Sequence, residues 1–372
     1  MPTPAVRVAM TLGALRVPPT YFAFSHAAHL PDVDFRYFAA FADVRAPVPW
    51  TVVTAPGGQH GPVPVRRALG GASWPVLGRA IERFRPQLVH QQFATWSTVA
   101  VRVAERLRVP LVVSLHGYDV PAAAAGERGS RRALTAPARY LAASAHLANE
   151  AVRLGFPADR VDVLYVGVDT SFFTPLDAEA RRAAWTSGRV CLVGRLSPEK
   201  GVSHLLRAVA ELSESTRPPV DLVGDGPDRA ALTDLAARLH LDVTFHGLTD
   251  RAGVRDLIRA SAVVVLPALE HLGRRETAGL VLLEAQACGV PVLGYDSGGT
   301  GEMVAPALAG SLVPEGDETA LSAALGAMLR LDVDQALRLG DEAAAFVRAE
   351  RSERAGAALL RQTYAELIGS AA

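Results

Sequence analysis

Residues 190–202 of the chain read VCLVGRLSPEKGV, an apolar run that leads through a glycine-bounded loop into a segment of helical period. A short apolar run without polar alternation is typical of a parallel strand that is buried on both faces. The stretch therefore predicts a strand, a loop and a crossover helix of a doubly wound α/β sheet. Lys200 in this loop is the single lysine among the 38 basic residues of the chain.

The same alternation of short apolar runs and helical segments continues over both halves of the chain. We predict strands at residues 6–12, 51–54, 87–90, 110–115, 140–143 and 161–165, and again at 190–193, 220–223, 243–246, 262–266, 290–293 and 311–313. Helices are predicted at 99–107 and 145–154, and in the tail at 319–331, 341–349 and 353–368. The pattern indicates two facing Rossmann-like, doubly wound α/β domains with a ligand site in the interdomain cleft.

Composition narrows the class of protein. The chain has 372 residues, of which 49% are hydrophobic and 20% are charged, which suits two domain cores and disfavours extended disorder. Both cysteines, Cys191 and Cys288, lie in apolar runs, where buried free thiols in a reducing compartment are expected. The apolar stretch at residues 6–12 is too short for a secretion signal or a membrane span, so a cytoplasmic location is expected.

The net charge is zero, but the two halves of the chain carry opposite charge. Residues 1–168 hold 18 basic and 10 acidic residues, a net charge of +8, and residues 169–372 hold 20 basic and 28 acidic residues, a net charge of −8. A basic half suits a phosphorylated ligand or peripheral contact with the inner face of an anionic membrane. A merely solvated charged surface would explain the charge equally well. No aromatic residues are interleaved with a basic cluster, which disfavours nucleic acid as a partner.

Two cations follow the predicted strand at residues 190–193. Arg195 and Lys200 lie five residues apart at the carboxyl end of this strand, where open sheets bind their ligands. A planar guanidinium and a mobile ammonium at this place suit the oxygens of a diphosphate. The alternative is a pair of solvated surface cations.

Two carboxylates, Glu276 and Glu284, bracket an apolar stretch that opens a helix. Gly279 before this helix lets a ligand approach the chain, and the N–H groups of the first turn favour a phosphate. Carboxylates two helical turns apart suit the hydroxyl groups of an elongated ligand. For either glutamate alone, a favourable helix-dipole position or an ion pair on the helix would be explanation enough.

Two histidines end predicted strands of the first half. His116 follows the run at residues 110–115 and is expected to lie in the cleft, although a histidine at a strand end is structural at least as often as functional. His90 is followed by Gln91 and Gln92, and a structural or acceptor-side role is favoured for it.

Several motifs together resemble glycosyltransferase family 4, the retaining nucleotide-sugar transferases of GT-B fold, over nearly the whole chain. They lie at residues 114–119 (SLHGYD), 165–169 (YVGVD), 194–201 (GRLSPEKG), 223–227 (VGDGP), 276–292 (ETAGLVLLEAQACGVPV) and 298–302 (GGTGE). The segment at residues 19–30 resembles members that build exopolysaccharides. The resemblance implies an acceptor-binding domain at 1–168, a linker at 169–186, a nucleotide-sugar-binding domain at 187–350 and, at 351–372, a last helix that packs back on the first domain.

The resemblance also implies a role for each candidate site residue. Arg195 and Lys200 would bind the donor diphosphate and stabilise it as the leaving group. Glu276 would contact hydroxyl groups of the transferred sugar, Glu284 would bind the ribose, and His116 would lie near the transferred sugar. The remaining donor-binding positions are Gly13, Leu248, Thr277, Ala278, Gly279, Leu280 and Val281. A glycine pair that often follows the first strand in the family is here reduced to Gly13.

The implied activity is that of a hexosyltransferase of polysaccharide biosynthesis. It would move a sugar with retention from a UDP- or GDP-sugar to a glycan, lipid-linked or small-molecule acceptor. Since two cations neutralise the leaving group, no metal and no cofactor are expected. The sequence does not choose between a same-face route and a double displacement. The alternatives are a sugar-nucleotide epimerase and a non-catalytic sugar-nucleotide binder on the same fold.

Overall fold

The computed structural model describes residues 6–17, 22–44, 48–58, 62, 64, 65, 68, 69, 72, 74–127 and 131–371. The chain forms two compact units, Met1–Val166 together with Gly356–Ala372, and Gly167–Ala355. Residues 19–21, part of the segment that resembles exopolysaccharide-building members, lie outside the described residues.

The first unit is built on a parallel sheet of seven strands in the order β3-β2-β1-β4-β5-β6-β7. The strands are β1 (Val6–Val17), β2 (Val33–Val44), β3 (Thr51–Thr54), β4 (Leu88–Gln92), β5 (Leu111–Leu115), β6 (Ala138–Ala142) and β7 (Val161–Val163). Helices of this unit are Phe22–Ser25, Leu77–Phe84, Thr98–Leu107, Asp119–Ala124, Arg131–Thr135 and Ala145–Arg153. Apolar clusters pack on both faces of the sheet, as expected for strands with continuous apolar runs.

Strand β2 is an element that the sequence analysis missed. It pairs in parallel with β1 from Val6 opposite Val33 to Val17 opposite Val44. Phe35 and Phe38 are buried in apolar clusters on opposite faces, so the segment has the two-sided burial of a central strand. Charged residues at both ends of the segment interrupt its apolar run, which is why the pattern did not indicate a strand.

The second unit is built on a parallel sheet of six strands in the order β10-β9-β8-β11-β12-β13. The strands are β8 (Val190–Val193), β9 (Val220–Val223), β10 (Val243–Gly247), β11 (Val263–Leu266), β12 (Val292–Asp296) and β13 (Leu312–Pro314). Its helices are Ala178–Ser187, Val202–Glu211, Arg229–Arg238, Arg251–Arg259, Leu280–Ala287, Glu318–Leu329 and Val333–Glu350. All six predicted strands of this half are present, with ends shifted by up to three residues.

Both sheets reverse their strand order beside the first strand of the unit. In the second unit the reversal lies between β8 and β11, which are neighbours in the sheet and lead to helices on opposite sides. The loops that follow these two strands therefore begin side by side at the carboxyl edge of the sheet, where open α/β sheets bind their ligands. This topology brings together the loop with Lys200 and the loop with Glu276.

Two helices end the chain. The helix Val333–Glu350 begins eight residues before the predicted start, because Asp332 and Gln335 form a reciprocal capping box at its first turn. The C-terminal helix Glu353–Ala371 belongs to the first unit from Gly356 onward, where Ala357, Leu360 and Tyr364 are buried in the apolar cluster. None of the helices in the described part of the chain is long and apolar enough to span a membrane.

Candidate functional site

Lys200 is the centre of the candidate site in the second unit. It ends a turn of 3₁₀ helix, Pro198–Lys200, in the loop after β8, and its stem packs along Gly194. The Nζ atom forms an ion pair with Oε2 of Glu276, from the loop after β11. The sequence predicted separate ligand contacts for Lys200 and Glu276, whereas the structure joins them in one ion pair.

Glu276 is held from several sides. Its Oε1 accepts the N–H of Gly279 at 3.2 Å, and its backbone carbonyl accepts the N–H of Gly299 at 2.8 Å. Burial would raise the pKa of this carboxyl, but the charge and hydrogen bond of Lys200 and the backbone N–H groups of Gly279 and Ala278 together lower it. Glu276 is therefore a fixed carboxylate at neutral pH.

The loops after β8 and β11 are also joined through their backbones. The N–H of Leu269 donates to the carbonyl of Glu199 at 2.9 Å. Gly201 lies so close to the loop after β11 that a Cβ at this position would be 1.8 Å from the carbonyl oxygen of Pro267. Close backbone contact thus sets the distance between Lys200 and Glu276.

Most of the other donor-binding candidates of the second unit lie in the two loops that carry this pair or in the helix that follows. Gly279 immediately precedes the helix Leu280–Ala287, so the predicted N–H donors of Leu280 and Val281 lie in its first turn. The N–H of Gly279 was also predicted to be a donor to the ligand, but in the structure it donates to the Glu276 carboxylate. Arg195 is exposed in the same loop as Lys200. Ala278 is buried, Thr277 is half-buried, and Leu248 follows β10 with 83% of its surface exposed.

Glu284 lies just over one turn into the helix Leu280–Ala287. Burial raises its pKa to about 7, and the positive charge of Arg251 offsets part of that rise. Arg251 opens the helix Arg251–Arg259 and stacks over the ring of Phe172 at 4.4 Å, with its guanidinium 3.5 Å from Oδ2 of Asp169. Sequence reasoning missed Arg251, since nothing in its neighbourhood marks it apart from other arginines.

His116 begins the loop after β5 in the first unit. Its Nε2 lies 2.8 Å from Oε1 of Gln92, and its backbone N–H donates to Oδ1 of Asp119 at 2.9 Å. The other Asp119 oxygen accepts the N–H of Ala94 at 2.7 Å, so this buried carboxyl joins the loops after β4 and β5. Burial, and to a lesser extent His26, lowers the pKa of His116 to about 3, so the imidazole is neutral.

Gly13 does not lie in a loop after the first strand, as the sequence suggested. Strand β1 continues through Gly13 to Val17 because it pairs with the long strand β2. A Cβ at Gly13 would be 2.4 Å from the indole ring of Trp96, so the glycine leaves room for this ring. Contact between Gly13 and a donor stays a prediction.

Two sequence-profile families match the chain. The family described as "Glycosyltransferase Family 4" matches residues 7–172, and "Glycosyl transferases group 1" matches residues 179–346. A D-inositol 3-phosphate glycosyltransferase of Nocardia farcinica is 34% identical over 69% of this chain and 62% of its own length. The D-inositol 3-phosphate glycosyltransferase 2 of Catenulispora acidiphila is 32% identical over 75% of this chain and 73% of its own length. The chain thus spans less than two thirds of the first of these relatives.

Solved structures of similar fold cover nearly the whole chain. HepE of Anabaena, solved in complex with UDP, has a TM-score of 0.77 and 18% identity, and covers 97% of this chain and 100% of its own. A sucrose-phosphate synthase of Thermosynechococcus elongatus has a TM-score of 0.74 and 22% identity, and covers 98% of this chain and 100% of its own. At this level of identity the likeness shows the GT-B fold. On the evidence of both sequence families and the relatives, the chain belongs to glycosyltransferase family 4.

Proposed function

We propose that the protein is a retaining glycosyltransferase that moves a sugar from a UDP- or GDP-sugar to a glycan, lipid-linked or small-molecule acceptor. The observation that carries the proposal is the Lys200–Glu276 pair beside a helix N-terminus at the reversal of the second sheet. The relatives' names support glycosyl transfer, and the crystal complexes of Anabaena HepE with UDP and UDP-glucose support a nucleotide-sugar donor.

The proposed chemistry follows from charge. When the bond between the anomeric carbon and the diphosphate oxygen breaks, the sugar becomes cation-like and negative charge grows on the diphosphate. Lys200 and Arg195 neutralise that charge, and the N–H groups of the first helical turn add a favourable dipole. Because Lys200 is already fixed by Glu276, little reorganisation accompanies the reaction.

The environment of Glu276 supports a same-face route. Both of its oxygens already accept hydrogen bonds, and its lowered pKa makes it a weak nucleophile and a weak base. A diphosphate oxygen would then receive the proton of the acceptor hydroxyl as that hydroxyl bonds to the anomeric carbon. The remaining lone pairs of Glu276 can accept hydroxyl groups of the sugar. In the same proposal, His116 contacts the transferred sugar.

The proposal is tested by product formation from a panel of nucleotide sugars, after a thermal-shift screen has selected the donors that bind. We expect glycosyl transfer to an added acceptor with the anomeric configuration of the donor retained. Conversion of the donor without an acceptor would instead identify a sugar-nucleotide epimerase. Tight binding with no turnover across acceptors would identify a non-catalytic binder.

Transfer is expected to keep its full rate in excess EDTA, because side-chain cations take the place of a divalent metal on the diphosphate. The measurement is the initial rate before and after chelation. Loss of activity that Mg²⁺ or Mn²⁺ restores would contradict this prediction.

Donor binding is expected to depend on the ionisation of Glu284. Its pKa of about 7 means that the carboxylate forms as pH rises through neutrality, and a carboxylate accepts ribose hydroxyl groups more strongly than a carboxylic acid does. We expect the affinity for UDP-glucose, measured by calorimetry, to rise about fivefold between mildly acidic and mildly basic pH. The Glu284→Gln variant should bind more weakly and lose the pH dependence. An unchanged profile in this variant would remove Glu284 from the donor site.

The acceptor side of the proposal includes contact with an anionic membrane. The net charge of +8 on residues 1–168 is its only support. Binding to anionic liposomes that weakens with salt is the expected result. Equal binding to neutral liposomes would exclude an electrostatic membrane contact.

A further inference from the structure

A buried chain of hydrogen bonds runs from the C-terminal helix to His116 within the first unit. Tyr364 Oη lies 2.5 Å from Nδ1 of His90, and Nε2 of His90 lies 3.4 Å from the side-chain nitrogen of Gln92. The side-chain oxygen of Gln92 lies 2.8 Å from Nε2 of His116. Tyr364, His90 and Gln92 are each at most 5% exposed. Their polar atoms therefore find hydrogen-bond partners in one another.

The orientation of the Gln92 amide, with its nitrogen toward His90 and its oxygen toward His116, determines the protonation of both rings, because the nitrogen only donates and the oxygen only accepts. His90 must then accept at Nε2, where the hydroxyl of Ser114 also lies at 2.8 Å, and carry its own proton on Nδ1 toward Tyr364. His116 must carry its proton on Nε2 and donate it to Gln92. Burial lowers the pKa of His90 to about 3, so both rings are neutral.

We propose that Gln92 is a positioning residue for glycosyl transfer, which holds His116 as its Nε2–H tautomer and is itself oriented by His90 and the C-terminal helix. In this tautomer the lone pair of the His116 ring lies on Nδ1. The inference rests on the proposed function, in which His116 contacts the transferred sugar. It assigns a role to His90 and Gln92, two of the three polar residues of the fully buried strand β4.

The tautomer is measured directly by long-range ¹H–¹⁵N NMR of protein labelled at histidine ring nitrogens, with the His116 signals identified from their loss in His116→Gln. We expect a single Nε2–H tautomer for His116 in the unmodified protein. In Gln92→Leu, which removes both hydrogen bonds at similar volume, we expect mixed tautomers. We also expect kcat to fall roughly 10- to 100-fold, with the donor KM nearly unchanged. Gln92→Glu keeps the acceptor toward His116 and should keep its Nε2 proton.

Thr11→Val is the matched control. It removes a buried 2.7 Å hydrogen bond to the neighbouring Gln91, which is not part of the chain to His116. We expect it to lower stability like Gln92→Leu while leaving the His116 tautomer and kcat unchanged.

Three results would overturn the inference. They are an Nδ1–H tautomer of His116 in the unmodified protein, a fixed Nε2–H tautomer in Gln92→Leu, and equal effects of Gln92→Leu and Thr11→Val on kcat. If Gln92→Leu does not fold, loss of the Nε2 proton in Gln92→Glu also overturns it. The NMR result stands whether or not the protein transfers a sugar, so failure of the proposed function and failure of this inference are separate outcomes.

Discussion

Replacing Lys200 by methionine is expected to lower kcat about a thousandfold, because the growing charge of the diphosphate loses its fixed cation. The same change leaves Glu276 as a carboxylate without its partner in a site where it is only 16% exposed. Removing one member of a buried pair is destabilising, and we expect a loss of about 2 kcal/mol in the free energy of unfolding. Initial rates and chemical denaturation measure the two effects.

The double variant Lys200→Met/Glu276→Gln separates these effects. The second change removes the unpaired charge, so we expect most of the lost stability to return while transfer stays abolished. Arg207→Met is a control of the same kind, since Arg207 forms an ion pair with Glu318 in the same unit, 2.7 Å apart. The Arg207→Met variant should lose little of its free energy of unfolding and keep its activity. Activity in the double variant above one tenth of the original would contradict a role for the pair in the reaction.

Gly201→Ala is expected to reduce kcat/KM about a hundredfold, although the glycine carries no reacting group. Its added Cβ would meet the carbonyl oxygen of Pro267, and a backbone atom does not move as easily as a side-chain end. The loop after β8 must therefore shift away from the loop after β11, which separates Lys200 from Glu276. Backbone strain adds to the effect, because Gly201 has a φ of +63°.

Gly188→Ala controls for the strain alone. Gly188 has a φ of +64° at the end of the helix Ala178–Ser187, and a Cβ there would meet nothing within 4 Å. We expect the free energy of unfolding of each variant to fall by about 1 kcal/mol, because alanine is strained in the left-handed backbone conformation. A further fall and the catalytic defect should occur only in Gly201→Ala, where the Cβ also clashes. Equal kcat/KM values in the two variants would show that loop spacing does not control transfer.

The site was predictable to the extent that its residues follow strands. Arg195 and Lys200 directly follow an apolar run, and Glu276 lies just before an apolar helix, so one pass along the sequence places all three at a carboxyl edge. Strand β2 was not predictable in this way. Charged residues interrupt its apolar run, and its pairing with β1 is a contact between residues 27 positions apart, such as Val6 and Val33.

The residues around His116 show a second limit of sequence reasoning. Gln92 was visible only as a polar residue after His90, and Tyr364 as one aromatic residue of a tail helix. Their hydrogen bonds join residues separated by up to 274 positions, and no local pattern records such a contact.

Local chemistry in the sequence thus determined the fold class, the strands of both series except β2 and the residue types at the candidate donor site, because short apolar runs and their periods reflect burial residue by residue. Only the tertiary structure decided that Lys200 and Glu276 form one ion pair, that Gly201 sets their spacing and that Gln92 holds His116. Those relations depend on the distance and orientation of groups far apart in the chain, and packing alone fixes them.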